Sequence, residues 1–171
     1  MRDGDPLARP DELFRRVYAY VAYRIGDGPD AEDVTSEVFE RALRYRASYS
    51  REKSDPASWL VGIARNCIAD TVASRREVVA EVPEVADEGD LEERTVRRMR
   101  VRAAVAELSE RDRELVALRY GADLTAARIG ELLGLEANTV EVALHRSLRR
   151  LRAAFDEPRS DEVRREELAE V

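Results

Sequence analysis

An all-α fold, two small helical domains joined by an acidic flexible linker, is predicted by three observations. Apolar residues recur at three- and four-residue intervals along most of the chain. No two alternating segments exist that could pair as a sheet. Between residues 78 and 97 the periodicity gives way to Pro83, Gly89 and seven acids against two bases, the composition of a tether. The expected division is a first domain over 1–77, a linker over 78–97, a second domain over 98–155 and an acidic tail over 156–171.

Each element has its own signal. Leu13, Val17, Val21 and Ile25 stand at four-residue intervals with Phe14 and Tyr18 beside them, one apolar helical stripe. Gly26-Asp27-Gly28-Pro29 breaks it. Asp30 is the expected cap of the next helix, whose apolar line runs Ala31, Val34, Val38, Ala42 and Tyr45. Its other face carries Glu32, Asp33, Glu37 and Glu40. A polar loop from Arg46 leads to Asp55-Pro56, an N-cap followed by proline at the first helical position. The helix after it turns Leu60, Ile63, Ala64, Cys67, Ile68 and Thr71 to one side. The short alternation from Val78 to Val85 has no partner to pair with, so it reads as linker.

The second domain restarts with a helix through Met99, Val101, Val105 and Leu108. Ser109 is placed to cap a helix carrying Leu115, Val116 and Leu118, and Thr125 a shorter one ending at Gly134. A last helix runs from about Ala137 to Phe155 through Val140, Leu144, Leu148 and Leu151. The tail has a weak helical pattern through Val163, Leu168 and Val171.

Composition narrows the function classes. A chain of 171 residues buries roughly 70% of its unfolded surface without help from metal or disulfide. One Cys and one His make neither an internal disulfide nor a Cys/His metal site, and no Ser/His/Asp set or glycine-rich phosphate loop is present. No catalytic residue, metal site or cofactor is therefore expected. The absence of a long apolar stretch predicts no membrane insertion and a cytoplasmic location. The net charge of −7 is uneven: the first domain carries 13 bases and 14 acids, and the second 11 bases and 8 acids. Most of the acidity lies in the linker and tail, so local pattern is a better guide to partners than net charge.

Residues 125–152 fit a helix-turn-helix on mechanical grounds. Gly130 is small where two helices would cross, Gly134 supplies a left-handed turn residue, and Val140 docks the second helix on the first. That second helix offers Arg146, Arg149, Arg150 and Arg152, which suits a major groove. An αα-hairpin with a solvated basic face has the same pattern, and the segment alone leaves both readings open. The same holds for the acidic stripe Asp33, Glu37 and Glu40, which is also what a solvated helix face carries.

Two further motifs decide between them. DAEDVTSEVFERALR at 30–44 and WLVGIARN at 59–66 precede LSERDRELVALRYGADLTAARIGELLGL at 108–135 and NTVEVALHRSLRRLR at 138–152. In that order and at that distance they resemble bacterial RNA polymerase sigma factors of the sigma-70 family, extracytoplasmic-function (ECF) group, over residues 11–77 and 98–153. The resemblance implies a promoter-directing subunit without catalysis. Its first domain would dock on a coiled coil of the polymerase β′ subunit through Asp33, Glu37 and Glu40, and its second would meet the β flap. It also implies an extruded −10 base read in a pocket near Tyr49, Arg65 and Asn66, with Arg75 and Arg76 on phosphates. Thr139, Glu141, Val142, His145, Arg146, Arg149 and Arg150 would face the −35 element. An anti-sigma factor is a possible third partner that the family implies.

The chain departs from the family at two places. Pro56 stands where relatives carry a pocket aromatic, with Tyr49 as the substitute ring. Glu141-Val142-Ala143 replaces a run that usually supplies two cations at the recognition helix. A glutamate there repels phosphate and accepts from a cytosine amino group. The alternative reading is a stand-alone helix-turn-helix regulator of sigma-like architecture, which accounts for the lost cations but leaves the acidic stripe and Asn66 without a role. Trp59 is expected as a core anchor, with DNA contact as its alternative, and Cys67 as inert core.

Overall fold

A computed structural model describes residues 5–77 and 93–156; the side chains of 75–77, 93–99 and 156 fall outside that description. Seven α-helices and no strand occur among the described residues. In chain order they are α1 (Pro10–Ile25), α2 (Pro29–Arg44), α3 (Pro56–Glu77), α4 (Glu93–Ala106), α5 (Glu110–Val116), α6 (Ala126–Leu133) and α7 (Ala137–Asp156). The expected linker and tail lie outside the described residues over 78–92 and 157–171. α4 begins at Glu93, inside the stretch expected as linker.

Local chemistry sets most boundaries. Asp55 caps α3: its carboxylate accepts from the Ala57 and Ser58 N–H groups, both at 3.1 Å, and from the Ser58 hydroxyl at 2.6 Å. Ser109 accepts from the Asp112 N–H at 3.2 Å and Thr125 from the Arg128 N–H at 3.3 Å, so both expected caps form. Asp30 does not cap α2. Pro29 holds the first helical position, and Gly28 precedes it with a φ of 135° that an Asp would not adopt cheaply. Tyr45 ends α2 exposed rather than continuing its apolar line, and Ile63 and Thr71 are only half-buried.

The Asp55 cap gives a stability prediction with a sign. Burial pushes the carboxyl pKa up, but the Ser58 hydroxyl and N–H, the Arg128 guanidinium and the Ala57 N–H outweigh it and hold it below 3.8. A depressed native pKa stabilises at pH above the unfolded value and is lost as the pH falls through the native one. Asp55→Ala is expected to cost about 1 kcal/mol at pH 7. In thermal melts the gap between variant and native should narrow as the pH is taken below about 3.8.

α1 is the wall both halves share. On one side Leu13, Val17 and Val21 pack with Val34 and Val38 of α2 and Leu60, Ala64 and Cys67 of α3. On the other, α1 meets α5 and the turn after it. That turn, Ala117–Gly121, is π-helical, and the Ala122 N–H reaches back to the Ala117 carbonyl at 2.9 Å. The helix expected through Leu118 therefore ends at Val116, and Leu118 is buried in the turn. Leu115, Ala117, Leu118 and Ala122 join the same core as the α1 residues. Cys67 lies fully buried there, and burial pushes its thiol pKa up.

Gly121 shows how close this approach is: a Cβ at that position would lie 2.8 Å from the backbone N and Cα of Tyr20. Arg16 of α1 crosses the seam and donates to the carbonyls of Ala122 at 2.7 Å and Asp123 at 3.1 Å. Those carbonyls end a helical turn, so a guanidinium there also meets the negative end of its dipole.

Candidate nucleic-acid interface

The helix-turn-helix consists of α6 and α7. Its tight turn follows from two glycines. Gly134 has φ 68° and ψ 36°, the left-handed conformation, and its N–H bonds to the Gly130 carbonyl. A Cβ on Gly130 would sit 2.4 Å from the Leu135 carbonyl oxygen, so only glycine fits beneath the returning chain. Val140 and Ile129 are fully buried where the helices meet.

With about 100° of rotation per residue, Val140, Leu144 and Ser147 define the inner side of α7, all of them buried. Val142, Arg146 and Arg149 lie about the middle of the opposite, exposed side, with Thr139 exposed towards one edge of it. Glu141 and His145 are exposed along one flank of it. Arg150 is on the other flank, and it is engaged: its guanidinium pairs with Asp112 of α5. Of the four arginines expected on this helix, Arg146 and Arg149 stand at the middle of the outward face.

The acidic stripe is less uniform than its spacing predicts. Asp33 and Glu40 are exposed on α2. Glu37 is half-buried and pairs at 2.5 Å with Arg41, whose guanidinium also reaches Asp70 of α3 at 2.9 Å. Glu37 is thus held in place by a bridge between two helices.

On the −10 side, the Tyr49 hydroxyl donates to the Ser54 carbonyl at 3.0 Å, and its ring lies 5.3 Å from the half-buried Trp59 ring. Burial first, then the Asp55 carboxylate, push the Tyr49 pKa up, so the hydroxyl remains a donor. Asn66 lies two turns further along the same face of α3 as Trp59. Tyr49 packs at the Trp59 end of this face, and Asn66 stands about 10 Å further along it by helix rise. Arg75 and Arg76 lie in the last turn of α3, with side chains outside the described residues.

Asn66 and Arg65 instead border a cavity of about 390 Å³ whose walls include Tyr20, Arg24, Gly62 and Glu114. Glu114, on α5, is the residue sequence reasoning missed. It accepts from the buried Tyr20 hydroxyl at 3.0 Å and lies 2.9 Å from Arg24 Nε and 3.2 Å from Arg65 Nε. Burial first, then the Glu114 carboxylate, hold the Tyr20 hydroxyl protonated far above its ordinary pKa. Glu110 adds a second carboxylate to Arg24 at 2.5 Å.

Among the described residues the fold is all-helical and carries a helix-turn-helix with an outward basic face, the form that DNA-binding modules take. The Sigma-70 region 2 family model matches residues 11–78, and the Sigma-70, region 4 model residues 98–151. The ECF RNA polymerase sigma factor BldN of Streptomyces coelicolor is 31% identical over 149 residues, covering 82% of this chain and 56% of that protein. The chain thus spans little more than half the length of this relative. The ECF RNA polymerase sigma factor SigL of Mycobacterium tuberculosis is 29% identical over 156 residues, 86% of either chain. Among solved structures, the sigma factor RpoE of Bartonella quintana, in complex with the anti-sigma factor NepR, has the same fold. Its TM-score is 0.67 at 20% identity, over 86% of this chain and 94% of that one. The chain belongs to the sigma-70 family, in its extracytoplasmic-function group. Members of that family are promoter-directing transcription initiation factors. No described helix is long and apolar enough to cross a membrane.

Proposed function

We propose that the chain binds core RNA polymerase and directs it to promoters, reading a −10 element with its first domain and a −35 element with its second. The observation that carries this reading is the presence of regions 2 and 4 in one chain and in that order. A stand-alone regulator would need only the helix-turn-helix. Asp33, Glu37 and Glu40 meet arginines of the β′ coiled coil, and the second domain meets the β flap. Residues 1–77 and 98–155 are the two working units, with 78–97 as tether and 156–171 as a tail. The chain acts in the cytoplasm without catalysis of its own. An anti-sigma factor, the kind of protein bound to the RpoE relative, is its third partner.

At the promoter, Asn66 reads the extruded −10 base by its amide, Tyr49 supplies the pocket ring, and Arg65, Arg75 and Arg76 hold phosphates. On α7, Val142, Arg146 and Arg149 enter the groove while Thr139, Glu141, His145 and Arg150 border it. The test is co-elution with bacterial core polymerase followed by transcription from a promoter library; a chain that neither binds core nor supports initiation overturns the proposal.

Glu141 gives a sharper test of the −35 face. Glu141→Lys replaces a repelling charge with one that can contact phosphate. Binding to −35 DNA should tighten, and the slope of log affinity against log salt should steepen by about 0.9 for one added phosphate contact. An unchanged affinity and slope remove Glu141 from the interface.

A further inference from the structure

Tyr45 is held tightly and buries little. Its N–H donates to the Arg41 carbonyl at 2.9 Å, which closes α2. Its own carbonyl accepts from the Ser48 N–H at 2.8 Å and from the Ser48 hydroxyl at 2.7 Å. The backbone is thus fixed on both sides, yet the residue is 54% exposed. It continues the phase of Ala31, Val34, Val38 and Ala42, but α2 ends there and the ring stands beyond the core.

A second anchor comes from ahead of α1. The Asp5 carboxylate accepts from Arg46 Nε at 2.9 Å and from an Nη of the same guanidinium, and also from the Leu7 N–H at 3.0 Å. Pro6 is buried and Leu7 packs against the core, which fixes this segment in turn. A two-bond pair between Arg and a carboxylate defines geometry as well as adding energy. Asp5 lies ahead of the region 2 match, which begins at residue 11. The ring's surroundings are cationic: between residues 44 and 53, Arg44, Arg46, Arg51 and Lys53 stand against Glu52 alone, in a chain whose net charge is −7. Arg44, Arg51 and Lys53 are exposed. The loop that follows carries Tyr49, whose ring lies against Trp59. An exposed ring among solvent-facing cations is what unpaired bases stack on, with their phosphates on the cations.

We propose that Tyr45 is a second nucleobase platform, separate from the Asn66 pocket. It stacks an unpaired base of the opened promoter strand, Arg44 holds the adjoining phosphate, and Asp5 is a positioning residue that fixes the ring through Arg46. This rests on the proposed reading of the chain as a promoter-binding subunit.

The experiment titrates the full chain with random-sequence single-stranded DNA of about twelve nucleotides, and with the same backbone lacking every base. The ratio of the two affinities reports stacking, because a change in protein charge acts on both probes alike. Tyr45→Ala is expected to lower that ratio about tenfold and Tyr45→Phe to keep it. Arg44→Gln should weaken both probes, with a salt slope shallower by about 0.7, and leave the ratio unchanged. Asp5→Asn should lower the ratio about threefold in the native background and not at all beside Tyr45→Ala. A role confined to stability would shift the melting temperature and leave the ratio alone. A native ratio of one, or an unchanged ratio in Tyr45→Ala, overturns the platform. An unchanged ratio in Asp5→Asn overturns the positioning role. Core-polymerase co-elution is run on the same proteins, and Tyr45→Ala should be retained like the native chain. Its loss from the polymerase with an unchanged DNA ratio overturns the proposal and assigns the ring to a protein contact. If the native chain fails to co-elute while the ratio responds, the platform stands and the sigma reading falls.

Discussion

Lysine at both Asp33 and Glu37 should abolish co-elution with core RNA polymerase while leaving the fold intact. The two substitutions reverse two charges on the outward side of α2, at the face proposed to meet arginines. Coupling between close charge pairs at interfaces runs from about 1.5 kcal/mol upward. Losing two such pairs costs about 3 kcal/mol or more, a fall in affinity of roughly a hundredfold. The helix itself should survive. Val34, Val38 and Ala42 remain buried on its inner side, and Arg41 keeps Asp70 as a partner when Glu37 is lost. A lysine facing Arg41 at i,i+4 costs only a few tenths of a kcal/mol. Equal retention of native and variant on the polymerase, with matching circular dichroism, would sink the assignment of this face.

The second large effect lies in the helix-turn-helix. Gly130→Ala places a Cβ 2.4 Å from the Leu135 carbonyl oxygen, a backbone atom that no rotamer change can move. The turn must open, which breaks the Leu135 N–H bond to the Gly130 carbonyl at 2.9 Å and tilts α7 off Val140 and Ile129. Overpacking of this kind costs about 2–3 kcal/mol, or roughly 5–10 °C in melting temperature for a domain of this size. Gly134→Ala makes a calibrated companion, since its left-handed φ of 68° costs about 1–2 kcal/mol with open space around the Cβ. The Gly130 variant should lose −35 footprinting at temperatures where the Gly134 variant keeps it. Equal melting of the two would show that the turn yields more easily than its geometry implies.

The features legible in the sequence are those whose cause is local. Asp55-Pro56, Ser109, Thr125 and Gly134 mark helix ends because caps act over three or four residues, and each does so in the structure. The same logic failed at Asp30, where Gly28 and Pro29 had already set the start of α2. Exposure of Thr139, Val142, Arg146 and Arg149 also follows from helical phase alone. The seam does not. Tyr20 and Glu114 are 94 residues apart, and Glu114 reads as one more acid in a charged helix. Gly121 gives no local sign that a backbone lies against it. Arg65 looked like a cation free for phosphate for the same reason: its partner comes from the far half of the chain.

The wall that α1 provides to both halves also governs how the molecule melts. Two modules on a slack tether would unfold independently, each with its own midpoint. Here Val17 and Tyr20 belong to the same buried cluster as Leu115 and Leu118, so wetting one half strips the other of its packing. Heat should therefore dissolve the chain in a single cooperative step, with calorimetric and van't Hoff enthalpies in agreement.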